Sequence, residues 1–372
     1  MKLTISIQLK PDEKQAKRLL NTLEKANEAA NAISEQAWDT RTFQQFKLHG
    51  ITYHWARETF ELTAQMVVRI IAKVSDAYKL DKKRQRVFRK HGSIAYDDRI
   101  LRYQTDKVSI WTLKGRETIP FVCGEYQQKL LQFRKGESDL VYRDGKWYLF
   151  AVVDVIEPAP DEPDDFLGVD LGIVQIATMS NGEAFAGNTV NNVRARNVKL
   201  RAKLQSKGTK SAKRLLKKRN SKEVCFAKQV NHHISKRIVQ TAKAQGQGIA
   251  IENLMGIRDR VRLRRRQRST LHSWSFYQLA SFILYKARKE GVHVEVVNPR
   301  YTSQTCAECG YSCKANRRTQ SQFLCVGCGV VANADHNASK IISYLGRAAV
   351  NRPYAVSYQS ARLEEQLQCP AL

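Results

Sequence analysis

The chain has 372 residues, enough for two or three domains and at least one sizeable core. Lysine and arginine outnumber aspartate and glutamate by 63 to 35, a formal charge of +28, and a compact surface that basic repels itself unless a polyanion shares it. The balance points to nucleic acid held through its phosphates. It argues against a membrane, because no apolar run approaches the ~20 residues of a spanning helix.

Residues 2–8 alternate like a strand and carry no secretory apolar region. Pro11-Asp12-Glu13 opens a helix whose Ala16, Leu19, Leu20, Leu23, Ala26, Ala30, Ile33 and Ala37 keep helical spacing. A second helical stretch is predicted from about Arg57 to Tyr78, with Leu62, Met66, Val67, Ile70, Ile71 and Val74 on one side. The basic run Lys82, Lys83, Arg84, Arg86 closes this part. From about Ile94 to Ile156 short alternating runs predict a small β-rich unit, interrupted after its first strand by the helical insert. Asp144-Gly145 there reads as a hairpin turn.

The Pro- and acid-rich stretch 158–165 reads as a linker. Beyond it, Phe166-Leu-Gly-Val-Asp170 is an apolar strand broken by one carboxylate, with strands at 175–179 and 184–186 to follow. A basic helical hairpin is predicted from Arg194 to about Gln245. Then come a buried strand ending in Glu252, a helix over 271–290, and a strand at 293–297. Asp335 opens a last helix through Leu345, and 346–372 has no clear period and reads as a disordered tail.

Cys306-x-x-Cys309 and Cys325-x-x-Cys328 are separated by fifteen residues. Paired thiolates at this spacing grip one tetrahedral zinc ion. Gly310 and Gly329 follow the second cysteine of each pair, where the chain must turn. Four thiolates leave no open coordination position, so the zinc is structural. Cys123, Cys225, Cys313 and Cys369 are scattered, which favours a reducing, cytoplasmic setting.

Asp170, Glu252 and Asp335 lie 82 and 83 residues apart, so spacing alone does not bring them together. Their settings do more. Asp170 and Glu252 each interrupt an apolar strand, where an unpaired charge costs several kcal/mol. Oxygen-only ligands suit Mg²⁺ or Mn²⁺, and two such ions can hydrolyse a phosphodiester. The alternative is that each acid merely caps a strand or helix at the surface.

Val169-Asp170-Leu-Gly172, Ile251-Glu252-Asn-Leu254, and the block from Thr302-Ser-Gln-Thr-Cys306 to Asn333-Ala-Asp335-His-Asn337 resemble the TnpB family. These are RNA-guided nucleases of insertion sequences, related to compact type V CRISPR effectors and Fanzor proteins. The resemblance is specific over 166–345 and looser before it. It implies an α/β and β multidomain chain with an RNase H-like (RuvC) nuclease domain over 166–300 and 331–345. A zinc-ribbon, target-nucleic-acid-binding insert would span 301–330. The first half would be a β-barrel wedge domain (1–10 and 94–157) carrying a helical recognition lobe (11–93). The resemblance makes Asp170, Glu252 and Asp335 catalytic and ligands of two Mg²⁺. The family's inactive regulators have lost at least one acid, whereas all three are present here.

Partners implied are a guide RNA and double-stranded target DNA, in a prokaryotic cytoplasm at the nucleoid, with a monomer on its RNA favoured and the oligomeric state open. The rival readings are a non-cleaving RNA-guided repressor and a protein-only RNase H-like transposase or resolvase. Two basic segments are candidate nucleic-acid contacts besides Lys82, Lys83, Arg84 and Arg86. One includes Arg194, Arg196, Lys199, Arg201 and Lys203, in a stretch without acids whose Val198, Leu200, Leu204, Leu215 and Leu216 would let it dock. The other is Arg258, Arg260, Arg262, Arg264, Arg265 and Arg266, directly after Glu252. Trp274, Phe276, Tyr277, Phe282 and Tyr285 keep a helical spacing that favours core packing over base stacking. Trp38, Tyr53 and Trp55 face the same choice, and His336 beside Asp335 is a candidate for proton transfer.

Overall fold

The computed structural model describes residues 1–254 and 276–350. The chain divides into two compact units, with the boundary between Ile156 and Glu157.

In the first unit, β1 (Lys2–Leu9) leads into three helices, α1 (Glu13–Asp39), α2 (Gln45–Phe60) and α3 (Ala64–Leu80). Six strands follow: β2 (Ile94–Tyr96), β3 (Leu101–Tyr103), β4 (Lys107–Thr112), β5 (Gly115–Val122), β6 (Arg134–Arg143) and β7 (Lys146–Asp154), with the short α4 (Glu125–Leu131) before β6. They form one sheet in the order β2-β6-β7-β1-β5-β4-β3, with β1 antiparallel to β7 from Lys2↔Asp154 to Leu9↔Trp147. The two outer strands approach each other across the curl. Tyr103 in β3 donates its hydroxyl to Ser138 in β6 at 2.9 Å, and Tyr96 in β2 donates to the Trp111 carbonyl in β4 at 3.0 Å. The sheet is a nearly closed barrel. Asp144 and Gly145, both at positive φ, make the β6–β7 turn expected of Asp-Gly.

The capping box at Asp12 and Gln15 starts α1, and Leu19, Leu23, Ala26, Ala30, Ile33 and Ala37 are buried as the spacing requires. Its polar stripe pins the basic segment that follows α3. Asn27 donates to Gly92 O, Asn31 exchanges two hydrogen bonds with Phe88, and Ser34 donates to Arg86 O. The single helix expected over 57–78 is in fact two. α2 ends at Glu61 in the left-handed region (φ 53°), and Thr63 starts α3. The buried positions of α2 are Leu48, Thr52, Ala56 and Phe60, a stripe too small and polar to register as amphipathic.

The second unit contains β8 (Phe166–Asp170), β9 (Gln175–Met179), β10 (Ala184–Ala186), α5 (Asn188–Lys207), α6 (Lys210–Ala244), β11 (Gly248–Glu252), α7 (Phe276–Glu290), β12 (Val294–Val297), β13 (Gln322–Leu324), β14 (Val331–Asn333) and α8 (Ala334–Val350). Five strands pair in the order β10-β9-β8-β11-β12, with β8, β11 and β12 parallel and β9 and β10 antiparallel. Leu167, Val169, Ile249 and Ile251 on one face pack with Ile234, Ile238 and Ala242 of α6 and Leu279, Ile283 and Ala287 of α7. The other face carries Phe166 and Ala250, packed with Ile342 of α8.

Three expectations change in this unit. Stretch 158–165 is no free linker, since Asp161 N donates to Gly291 O and Asp165 binds Gln247 and Arg347. The last helix does not stop at Leu345 but runs to Val350. Gly346 lies inside it, where a Cβ would lie 2.7 Å from Ala250 Cβ and 3.0 Å from the Phe166 ring. Of the aromatics expected to pack in the core, Phe282 and Tyr285 are half-buried and Tyr277 is not buried, while Trp274 and the Phe276 side chain lie outside the described residues. Tyr277 is exposed and Phe282 stacks on His232 at 4.0 Å. No helix among the described residues is long and apolar enough to cross a membrane.

Candidate functional site

Glycine at 168 decides where the acids go. A Cβ there would lie 1.9 Å from Ser339 O and 2.4 Å from Ser343 N, so only glycine lets α8 lie directly on β8. Side chains alternate along a strand, so Asp170 shares the α8-facing side with Phe166 and Gly168. The same period puts Glu252 on the side of Ala250, and the register Ala250↔Gly168 and Ile251↔Val169 aligns the carboxyl ends of β8 and β11. Helix α8 runs back across this face, its first turn near Asp170 and its last near Phe166, where Ser343 donates to the Phe166 carbonyl at 2.5 Å. Asn333 starts it, accepting from the backbone of Asp335 and His336 at 3.0 and 3.1 Å. Asp335 therefore sits in the first turn, over the ends of the two strands.

The electrostatics follow. Burial raises the Asp170 carboxyl from 3.8 to about 7, helped by the neighbouring carboxylates of Glu252 and Asp335 and opposed by Arg317. Burial also raises Glu252, against a hydrogen bond from Thr302 and the charge of Arg317. Asp335 is raised by burial and lowered by Arg317. One guanidinium thus faces all three acids, and it is 3.5 Å from Asp335 Oδ1. Thr178, directly across from Asp170 on β9, buries a hydroxyl that finds no hydrogen-bond partner among the described residues. All-oxygen donors, excess negative charge in a buried place and an unsatisfied hydroxyl fit a hard divalent cation. The carboxylates lie within electrostatic reach of one another but are not among the groups gathered tightly enough for one ion to touch every member.

The four cysteines are so gathered, with Sγ atoms all within 4.8 Å. Cys306 and Cys328 are 3.8 Å apart, and Cys309 and Cys325 are 3.5 Å apart. A tetrahedral ion with Zn–S bonds of ~2.3 Å needs sulfurs about 3.8 Å apart, so the cluster fits zinc. The knuckles repeat each other: Gly310 N donates to Cys306 O and Gly329 N to Cys325 O, both glycines at φ 76°. Cys313 is not one of the four.

The basic candidates separate by their partners. Arg196, Lys199 and Lys203 project from α5 into solvent, whereas Arg201 pairs with Glu223 at 3.0 Å. Arg194 is half-buried and lies within electrostatic reach of the same glutamate, whereas the ion pair that joins α5 to α6 is that of Arg201. Of the apolar residues expected to dock this hairpin, Leu204 is buried while Val198 and Leu215 are exposed. Lys82, Lys83 and Arg84 are exposed, but Arg86 donates to Ala77 O and pairs with Asp81. Arg258, Arg260, Arg262, Arg264, Arg265, Arg266 and Trp274 lie outside the described residues. Among the ambiguous aromatics, Trp38 lies under Arg41 at 3.9 Å, Tyr53 stacks on His49, and Trp55 is partly exposed. His336, the candidate for proton transfer, hydrogen-bonds the Ser180 carbonyl at 3.2 Å.

Sequence reasoning missed Arg317 and Gly168, and it passed over Thr302, whose hydroxyl is 2.5 Å from Glu252 Oε1. Thr302 stood inside the recognised block; nothing in the spacing marked Arg317. An open groove of about 870 Å³ adjoins Thr302, with Arg300, Tyr301, Lys340, Tyr344 and Arg347 in its walls.

Residues 148–258 match the OrfB_IS605 family model, described as "Probable transposase", and 276–342 match the Cas12f1-like TNB domain. The chain is 32% identical over 224 residues to the CRISPR-associated endodeoxyribonuclease Cas12f1 of Syntrophomonas palmitatica, covering 55% of this chain and 42% of that one. It is 32% identical over 241 residues to the protein of the same name from Sulfoacidibacillus thermotolerans, covering 60% and 54%. It is 35% identical over 138 residues to a TnpB-like protein of Methanocaldococcus jannaschii, covering 37% and 49%. The chain thus spans about half the length of the curated relatives it matches. A solved Cas12f1–sgRNA–target DNA complex shares the fold, with a TM-score of 0.58 at 16% identity over 87% of this chain and 82% of that one. The chain is a relative of TnpB-like proteins and of Cas12f1, and the resemblance read from its motifs is borne out.

Proposed function

We propose that the chain is an RNA-guided DNA endonuclease. The observation that carries the reading is the convergence of Asp170, Glu252 and Asp335 on one face of the five-stranded sheet, at the carboxyl ends of two parallel strands where open α/β sheets place their sites. The sheet and α8 are read as an RNase H-like (RuvC) nuclease domain, with 301–330 as a zinc-ribbon insert that binds target nucleic acid. The barrel is read as a wedge domain and α1–α3 as a recognition lobe. Relatives named endodeoxyribonucleases support this assignment.

Asp170, Glu252 and Asp335 would hold two Mg²⁺, which when bound activate water and stabilise the leaving oxygen of a phosphodiester. The chain's own residues do the rest. Gly168 lets α8 bring Asp335 over the strands, Arg317 balances the acids, and the cations of α5 grip backbone phosphates. Guide RNA would select sequence by pairing, and the protein would read a short flanking DNA motif. The setting is a prokaryotic cytoplasm, and a monomer on its RNA is the favoured assembly.

Purified protein with copurifying RNA, given matching target DNA and Mg²⁺, should cut it. Asp170→Ala should abolish cutting and leave RNA binding intact, and appreciable residual Mg²⁺-dependent cutting would remove Asp170 from the site. The "Probable transposase" description of the matching family model favours one second reading, cutting or joining without RNA. RNase treatment separates the two.

A further inference from the structure

We propose that the first zinc knuckle is the brace that sets the distance between Glu252 and Asp335, with Thr302 as the positioning residue for Glu252. The inference rests on the reading of these acids as metal ligands and adds to it what holds them in place.

The brace is traceable atom by atom. Thr302 is 3% exposed, and its hydroxyl lies 2.5 Å from Glu252 Oε1 and 3.1 Å from Pro299 O. Its one proton serves the shorter, charge-assisted bond, which fixes one of the two carboxylate oxygens. Four residues on is Cys306. The residues flanking it are clamped by Asn337: Asn337 Nδ2 donates to Thr305 O at 2.7 Å, and Ala307 N donates to Asn337 Oδ1 at 3.0 Å. Asn337 is buried on α8, two residues after Asp335. Segment 302–307 therefore spans from the Glu252 side chain to the helix that carries Asp335, with a zinc ligand in its middle. Asn316, fully buried, locks the second knuckle to the first. It donates to Gln304 O and Tyr311 O at 2.8 and 3.1 Å and accepts from Val326 N at 2.9 Å. The adjoining residue is Arg317, the partner of Asp335. Each tie runs from the thiolate cluster to an acid or its helix, so the zinc would act on the carboxylates through position alone.

The test is Mn²⁺ binding by the full chain, followed by electron paramagnetic resonance of free Mn²⁺, with zinc content and melting temperature measured on the same samples. Thr302→Val should keep one zinc and the parent melting temperature while Mn²⁺ binds about tenfold more weakly, the usual consequence of losing a group that orients a ligand. Thr302→Ser, which restores the hydroxyl, should bind within about twofold of the parent. If Thr302→Val melts early, Asn337→Ala cuts the opposite end of the brace and should weaken Mn²⁺ in the same way with zinc retained. Unchanged Mn²⁺ affinity in zinc-loaded Thr302→Val, or failure of serine to restore it, overturns the inference. A parent protein that binds no Mn²⁺ sensitive to Asp170→Asn overturns instead the reading of the acids on which it rests.

Discussion

Arg317, in the segment between the two cysteine knuckles, holds its guanidinium 3.5 Å from the carboxylate of Asp335 in the first turn of α8. The same charge lowers the carboxyls of Asp170 and Glu252. One cation, delivered from the segment between the knuckles, thus partly offsets three acids of which Asp335 is buried and Asp170 and Glu252 half-buried.

Replacing Arg317 with Gln should make the acids harder to ionise. Arg317 lowers all three carboxyls, so its loss raises them. Protons then compete with divalent ions to higher pH. The acidic limb of the cleavage–pH profile should move alkaline, with a larger loss of rate at pH 6.5 than at pH 8.5. An unshifted limb would mean that Arg317 does not act on the acids through charge.

Asp170→Asn should stabilise the Mg²⁺-free, zinc-loaded protein at alkaline pH. The carboxyl is raised from 3.8 to about 7 by burial and its acidic neighbours. The folded state therefore holds a proton that the unfolded state releases, and this stability is present below pH ~4 and lost as pH rises through about 7. The full loss by pH 8 is up to about 4 kcal/mol, or several degrees in melting temperature. Asparagine removes it, so the variant should melt above the parent at pH 8 and near it at pH 4. Added Mg²⁺ should raise the parent's melting temperature and leave the variant's almost unmoved. Parallel melting curves for the two proteins from pH 4 to 8 would contradict the burial argument.

Gly168→Ala should damage the site from a distance. Its Cβ would enter the backbone of α8 at Ser339 and Ser343, and neither strand nor helix can yield there without moving Asp170 or Asp335. Overpacking of this kind costs about 3 kcal/mol, and divalent-ion affinity should fall with stability in a denaturant titration. A variant as stable as the parent would show that α8 lies farther from β8.

Cys306→Ser should lower folded yield and melting temperature, and chelating zinc should do the same to the parent. Cys306 is buried with Phe323, Cys325 and Ala334 in the small core of the insert, which has little else to hold it. Normal thermal behaviour of the serine variant would argue against a structural ion.

Much of this anatomy was legible locally. The four cysteines, the glycines after them and the Asp-Gly turn are signals carried by adjacent residues, because a knuckle or a two-residue hairpin is closed by the chain's own short-range geometry. The apolar stripe of α1 and the strands ending at Asp170 and Glu252 were legible for the same reason. What failed were places where a neighbour distant in sequence supplies the reason. The period of the last helix is lost at Gly346, which is a contact with Ala250 and Phe166 inside a helix that continues to Val350. Nor did the basic runs show that Arg86 pairs with Asp81 and Arg201 with Glu223. Stripe 48-52-56-60 was hidden because threonine and alanine are buried only where another helix presses close.

From its sequence alone this chain specified its donor atoms: four thiolates in register, and three carboxylates in places that would not tolerate them unpaired. Their assembly was decided only in three dimensions. It required the parallel register of β8 with β11, a missing side chain at 168 and a helix crossing the sheet from the far end of the chain. Sequence separation holds no information about distance once a sheet pairs strands some 80 residues apart, and packing against that sheet is what turned isolated acids into one electrostatic unit.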